Sequence, residues 1–327
     1  MDYRNLGSCG LKVSAVALGC GNFGGIGSAP EFYGQGESQA EASAIMDEAR
    51  DLGINLFDTA DAYGGGRSEE FIGAWLRGKG ASVRDQLVLS SKVFNPVGEG
   101  PNDRGLSRRH ILRQVEASLG RLGVDHLDCY LLHEPDPTTR LEETLLALDD
   151  LVRQGKVRYA GASNMPAWLM TKALWIADRR NLSRLGWVQN SYSLLDRVDE
   201  REMFPLCADQ GLGCTPFSPL AGGLLTGKYA YGGGYPEGSR MTLRPGPYLD
   251  LWTRETFAAL DRLRDEAEER GVSMAGLSLA WVIASPHVTA PIVGPRTSAH
   301  FGPVREALAL RLTLEERDAI AALFDRT

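Results

Sequence analysis

Along the chain, brief apolar and β-branched runs alternate with longer stretches in which apolar residues recur every three or four positions. The brief runs fall at residues 15–18, 54–57, 87–90, 127–132, 157–160, 187–189, 214–216 and 289–293. Between them, residues 39–52, 69–77, 108–122, 141–154 and 167–177 have the period of amphipathic helices. Strand followed by helix, repeated without a linker, predicts βαβ units and a parallel sheet. Ser107 and Thr139 are placed to cap helix N-termini, and Gly53, Gly123 and Gly155 to end helices in the left-handed conformation. A short hairpin over residues 3–13 is expected to precede the first run. After the seventh run, residues 221–252 are rich in Gly, Tyr and Pro, and a loop of that length is expected to be a lid.

This pattern fits both an open doubly wound sheet and a closed (β/α)8 barrel. The placement of polar residues decides for the barrel. Asp58 follows INLF, Lys92 follows LVLSS, His133 follows DCYLL, and Ser163 and Asn164 follow VRYAGA. Gln189 and Asn190 close the sixth run, Phe217 and Ser218 the seventh, and Gly294 with Arg296 the eighth. In a barrel all these ends lie on one face, where barrel enzymes carry their catalytic groups. One barrel domain over residues 1–327 is the expectation.

Composition permits such a core: 43% of the 327 residues are hydrophobic and 24% charged. The net charge of −7 comes from 42 acidic and 35 basic residues with no basic block, which argues against nucleic-acid binding. No apolar run has the length of a membrane span, and the N-terminus lacks the order of a secretory signal, so a cytoplasmic protein is expected. The five cysteines are odd in number and scattered, with no C-x-x-C pair. They read as reduced packing thiols, and no metal site is expected.

Gly19, Gly21 and Gly24 match G-x-G-x-x-G after the first run. A dinucleotide site of that type needs a helix to start inside the motif, but the next residues are dense in Gly and Pro. The segment reads instead as the first loop of the barrel mouth.

The stretches GINLFDTADAYGGGRSEEFIG, VLSSKV, LDCYLLHEPDP, GASN, VQNSYSLLDR, PFSPLAGGLLTGKY and IVGPRT are similar to the aldo-keto reductase family over nearly the whole length. The resemblance assigns the catalytic positions to Asp58, Tyr63, Lys92 and His133. Carbonyl reduction needs a proton at oxygen, and a free tyrosine with a pKa of about 10 is a weak acid at neutral pH. Lys92 is expected to lower the Tyr63 pKa, Asp58 to hold Lys92 charged, and His133 to hydrogen-bond the substrate oxygen. Taken singly, Asp58 also suits a turn, Lys92 a solvated loop and His133 a core position. Their joint arrival at successive strand ends is the argument for chemistry.

The resemblance also implies a nicotinamide cofactor. Ser163, Asn164 and Gln189 match positions that bond its carboxamide, and Phe217 stands where the family usually has a stacking tyrosine. Residues 218–228, with Ser218, Leu220, Gly222 and Lys228, match the pyrophosphate segment. Gly294, Arg296 and Thr297 match the adenosine end, where Arg296 would favour NADP(H), with NAD(H) not excluded. Gly21, Asn22 and Phe23 of the first loop join the candidate cofactor contacts. The sequence departs from the family at His300 and Val304, where Gln and Asn commonly serve adenine and ribose.

The implied partner is a small carbonyl or alcohol substrate, with Phe23, Phe32, Tyr33, Phe94, Tyr231, Tyr235, Tyr248 and Trp252 as candidate pocket residues. Substrate, direction and oligomeric state stay open. An alternative is a cofactor-binding regulatory subunit like the channel β-subunits of the same fold. A lyase or isomerase using Lys92 as a Schiff-base amine leaves the cofactor positions unexplained.

Overall fold

The computed structural model describes residues 1–325. A hairpin of β1 (Tyr3–Asn5) and β2 (Lys12–Ser14) comes first. Eight parallel strands follow: β3 (Ala17–Gly19), β4 (Leu56–Asp58), β5 (Val88–Val93), β6 (Leu127–Leu132), β7 (Val157–Ser163), β8 (Leu185–Gln189), β9 (Gly213–Cys214) and β10 (Ile292–Val293). They lie side by side in the order β10-β3-β4-β5-β6-β7-β8-β9. The two edges are joined by main-chain bonds: Thr289 N donates to Cys214 O at 2.7 Å and Ile292 N to Pro216 O at 2.8 Å. The sheet is therefore a closed (β/α)8 barrel, and the open-sheet alternative falls.

Each of the eight apolar runs overlaps a strand. Several strands extend beyond the apolar residues, because Asp58, Lys92 and Ser163 are themselves strand residues. The helices Gln39–Asp51, Arg67–Lys79, Arg108–Leu122, Leu141–Arg153 and Ala167–Arg180 surround them. Ser107 caps its helix through a bond from His110 N at 3.3 Å. Gly53, Gly123 and Gly155 have the left-handed φ expected of helix stops. Thr139 does not cap: Arg140 occupies that position without a side-chain bond, and the Thr139 hydroxyl donates to Asp136 at 2.8 Å.

Side chains of strands alternate between two cores. Ala17, Leu56, Val88, Cys129 and Leu131 fill the barrel interior, and Leu6 and Val13 of the hairpin belong to the same cluster. Phe57, Leu89, Tyr130 and Leu132 pack outward against the helices. The hairpin thus plugs the N-terminal end of the barrel. Gly7 makes this close fit: a Cβ there would lie 2.4 Å from Gly213 N, and its φ is +59°.

The region expected to be an irregular lid holds three short helical turns, Ala221–Thr226, Arg240–Leu243 and Gly246–Leu251. Trp252 packs against Tyr229, Tyr235 and Phe257, with ring centroids 5.5, 4.9 and 4.8 Å away. Tyr231 also packs on Phe257. These rings anchor the segment to the helix Arg254–Glu269. Among the described residues no helix is long and apolar enough to cross a membrane.

Candidate active site

The alternation that sends Leu56 and Val88 inward carries Asp58, Ser90 and Lys92 inward as well, two and four residues further along. His133 follows β6, its main-chain N bonded to Val93 O at 3.0 Å. Lys92 is fully buried, and its ammonium is saturated. It donates to Asp58 Oδ2 at 2.5 Å, Thr59 O at 2.8 Å and Tyr63 Oη at 3.3 Å. Asp58 Oδ1 accepts from Ser90 Oγ at 3.0 Å and Gln189 Nε2 at 3.1 Å. A lysine so deep in a protein requires this full set of partners, since an unpaired buried charge costs several kcal/mol.

Tyr63 Oη also lies 3.4 Å from His133 Nε2. Asn95 Nδ2 faces His133 Nδ1 at 3.0 Å, so Nδ1 accepts and the ring proton sits on Nε2. The Tyr63 oxygen then receives bonds from Lys92 and His133, which leaves its own proton free to be donated.

Burial holds the His133 imidazole well below its ordinary range, and the Lys92 charge acts the same way. The ring is neutral at physiological pH. Burial pulls Lys92 down, but Asp58 and Tyr63 outweigh it and its pKa is raised. For Tyr63 the expectation needs correction. Lys92 does pull the phenol down, but burial pushes harder, helped by the Asp58 charge, and the net direction is upward. In the free protein Tyr63 is a protonated phenol.

Immediately after Tyr63, Gly64, Gly65 and Gly66 have φ of 59°, 71° and 95° and turn the chain into the helix Arg67–Lys79. A Cβ at Gly64 would meet Phe23 O at 2.8 Å. Gly64→Ala therefore combines a left-handed backbone with a main-chain clash beside the phenol. We expect a loss of about 1–3 kcal/mol in stability, read by denaturant unfolding, and a larger proportional loss of turnover. Wild-type stability in this variant would show that the turn is not so constrained.

The cofactor candidates lie around this cluster. Ser163 Oγ donates to Gln189 O at 2.6 Å, and Asn164 Nδ2 donates to His133 O at 2.9 Å. With the Gln189 amide nitrogen committed to Asp58, all three side chains are left with acceptor oxygens to offer, the complement of an amide NH2. Phe217 is half-buried. Ser218 and Ala221 have φ of 55° and 45°, and Asn164 54°, uncommon values for residues other than glycine. Leu220 O accepts from Gly223 N at 2.8 Å. Tyr248 covers Gly222 and bonds Ser218 Oγ at 3.1 Å, while the Lys228 side chain lies over Gly223. Tight left-handed turns, small residues and a lysine suit the close approach of a pyrophosphate.

Gly21 faces the Tyr63 ring, where a Cβ would sit 3.5 Å from the ring edge. Asn22 Oδ1 accepts from Arg240 Nη2 at 3.3 Å. The Phe23 side chain, expected at the mouth, is 1% exposed and packed in the outer core, so that loop can serve a ligand there only through its main chain. Gly294 and Thr297 are exposed at the rim. Arg296 is engaged: Nε donates to Glu37 Oε1 at 2.6 Å and Nη1 to Gly238 O at 2.8 Å. His300 Nδ1 accepts from Arg296 N at 3.0 Å, a role quite unlike an adenine contact.

Sequence reasoning missed Asn95, Glu37, Arg240 and Arg244. Only Asn95, three residues past Lys92, carries a positional signal; the others meet the site through contacts distant in sequence. Among the described residues no cluster of His, Cys, Asp or Glu could hold a metal ion. The cysteines are unpaired, four of them buried.

A closed barrel with its polar machinery gathered at the C-terminal strand ends defines a protein of the barrel-enzyme class. Within that class the sequence is specific: residues 16–325 match the model of the aldo/keto reductase family, and the chain belongs to that family. It is 40% identical to the uncharacterized oxidoreductase YrpG of Bacillus subtilis, covering 96% of this chain and 93% of the relative. It is 36% identical to the versiconal hemiacetal acetate reductase of Aspergillus parasiticus, covering 97% and 95%. A probable voltage-gated potassium channel subunit beta of Oryza sativa subsp. japonica is 39% identical, covering 90% and 87%.

Proposed function

We propose that this protein is an NADP(H)-dependent reductase of aldehydes, ketones or sugar carbonyls, with Tyr63 as proton donor. The observation that carries the reading is the Tyr63 oxygen, which accepts from Lys92 at 3.3 Å and from His133 at 3.4 Å and keeps its own proton available. A bound nicotinamide would supply the hydride. The residues of this chain bind, orient and move the proton. Ser163, Asn164 and Gln189 would fix the carboxamide, residues 218–228 the pyrophosphate, and Gly294, Arg296 and Thr297 the adenosine end.

As a carbonyl oxygen gains negative charge, the Tyr63 proton passes to it and the phenolate that remains is held by the Lys92 ammonium. Asp58 keeps that ammonium in place. His133, neutral and protonated on Nε2, stabilises the same oxygen by hydrogen bonding without adding a charge. Microscopic reversibility lets the same set oxidise an alcohol.

Titration of tryptophan fluorescence with NADPH and NADH, followed by nicotinamide absorbance with a panel of aldehydes, ketones and sugars, tests this function. Failure to bind either nucleotide would sink it. Similarity to a channel β-subunit supports a second reading, a nucleotide-sensing subunit; nucleotide binding without turnover on the whole panel would favour it.

The Glu37 contact bears on the choice of nucleotide. A 2′-phosphate at Arg296 would share the guanidinium with a carboxyl that burial already pushes up in pKa. Glu37→Gln removes the competing charge. NADPH is expected to bind about tenfold tighter relative to NADH in that variant, read by the same titration. An unchanged ratio would mean that the 2′ position is elsewhere.

A further inference from the structure

Two arginines of the long segment stand out because neither is held in an ion pair among the described residues. Arg240 and Arg244 bracket one turn, with Arg244 N bonded to Arg240 O at 2.7 Å. The turn is fixed by fully buried Met241 and by Ser239, which caps it through Thr242 N at 3.2 Å. Among the described residues neither arginine forms an ion pair, although most half-buried arginines elsewhere in the chain do. Arg240 has at least the Asn22 side chain. Arg244 has no side-chain hydrogen bond among the described residues, yet it is half-buried.

The position of Arg244 is informative. Its Nη1 lies 2.5 Å from where a Cβ on Gly27 would be, so the guanidinium rests on that glycine. Its Cζ is 5.9 Å from the Phe32 ring centroid. Gly27 N bonds Gly21 O at 2.7 Å, and Gly21 faces the Tyr63 ring; Gly27 O accepts from Gly64 N at 2.9 Å, the residue after Tyr63. Arg244 therefore sits one backbone layer from the phenol, and its charge helps pull the Tyr63 pKa down. A planar cation between an aromatic ring and glycine backbone, with its donors unspent, is arranged to take an anion.

Resting on the reductase reading above, we infer that Arg244 recognises a carboxylate on the substrate, making this site selective for carbonyl compounds that carry an acid group a few bonds from the reacting carbon. Phe32 supplies an apolar wall for the carbons between them. The carbonyl end reaches Tyr63 and His133 while the acid end stays at the rim.

The test compares two aldehydes of the same shape and different charge, 4-carboxybenzaldehyde and its methyl ester, with wild type, Arg244→Met and Arg244→Lys. Wild type is expected to turn over the acid with a kcat/KM at least tenfold above the ester. Arg244→Met should lower the acid's kcat/KM by about 10- to 100-fold more than the ester's, chiefly through KM, and Arg244→Lys should restore part of it. Equal losses on both substrates, or no preference in wild type, would overturn the inference and leave the reductase reading intact. 4-Formylbenzyl phosphate, run beside the acid, separates carboxylate from phosphate: a larger Arg244-dependent advantage for the phosphate overturns the carboxylate assignment. Calorimetric titration with the monomethyl ester of terephthalic acid reads the anion site without turnover. Binding that Arg244→Met abolishes, in a protein that reduces nothing, supports the anion site and overturns the reductase reading; no binding in wild type overturns the anion site.

Discussion

Tyr63→Phe is expected to lower kcat by about 10²- to 10⁴-fold, the range for loss of a positioned general acid, while NADPH affinity changes less than about twofold. The variant removes one oxygen. The Lys92 ammonium keeps Asp58 at 2.5 Å and Thr59 O at 2.8 Å, so the buried pair survives and the fold with it. His133 loses an acceptor but stays held through Asn95 at 3.0 Å. Steady-state kinetics with one aldehyde, alongside fluorescence titration of the nucleotide, separates the two effects. Turnover equal to wild type would show that another group supplies the proton, and equal loss of nucleotide binding would show that Tyr63 is structural.

The second large effect falls on stability as well as on turnover. Lys92→Met strands the Asp58 carboxylate inside the barrel with only Ser90 and Gln189 as partners. Breaking a buried pair in this way costs about 3–5 kcal/mol. A fall in Tm of roughly 4–7 °C should follow, together with at least a hundredfold loss of kcat/KM. Asp58→Asn combined with Lys92→Met removes both charges. That double variant should regain most of the Tm, since neutralised pairs often leave stability unchanged, but none of the turnover. Recovery of activity in the double variant would mean that the ammonium is only a structural counterion. Failure to regain Tm would mean that packing of the lysine stem, and not charge, dominates.

Much of the frame was legible because the strands are short apolar runs and their polar ends are conspicuous against them. Asp58, Lys92 and His133 were found that way, and strand alternation explains why all three face inward. Helix signals with a local cause, such as Ser107 before the helix Arg108–Leu122, also held. Thr139 failed because Asp136, a residue no local rule weighs, takes its hydroxyl. Nor does any local rule foretell that Trp252 and Tyr231 pack on Phe257, a partner on a later helix.

The rest of the site is not a local property. Arg296 and Glu37 are 259 residues apart, and nothing near either one foretells their bond. Arg240 and Arg244 lie in a stretch without periodicity, where a basic residue reads as solvated. The Tyr63 phenol was misjudged for a related reason: the pull of Lys92 follows from spacing, but the opposing push comes from burial, which only the assembled barrel sets.

The hairpin that plugs the N-terminal end gives the barrel a single doorway. Leu6 and Val13 close the far side, so a ligand for Tyr63 comes and goes by the C-terminal mouth of the barrel. Gln189, bonded to Asp58 inside the barrel, lies deeper than that rim. Two ligands using one cul-de-sac cannot exchange independently. On the proposed function, a nucleotide seated against Gln189 would arrive before the substrate and leave after its product, an order that product-inhibition kinetics would read.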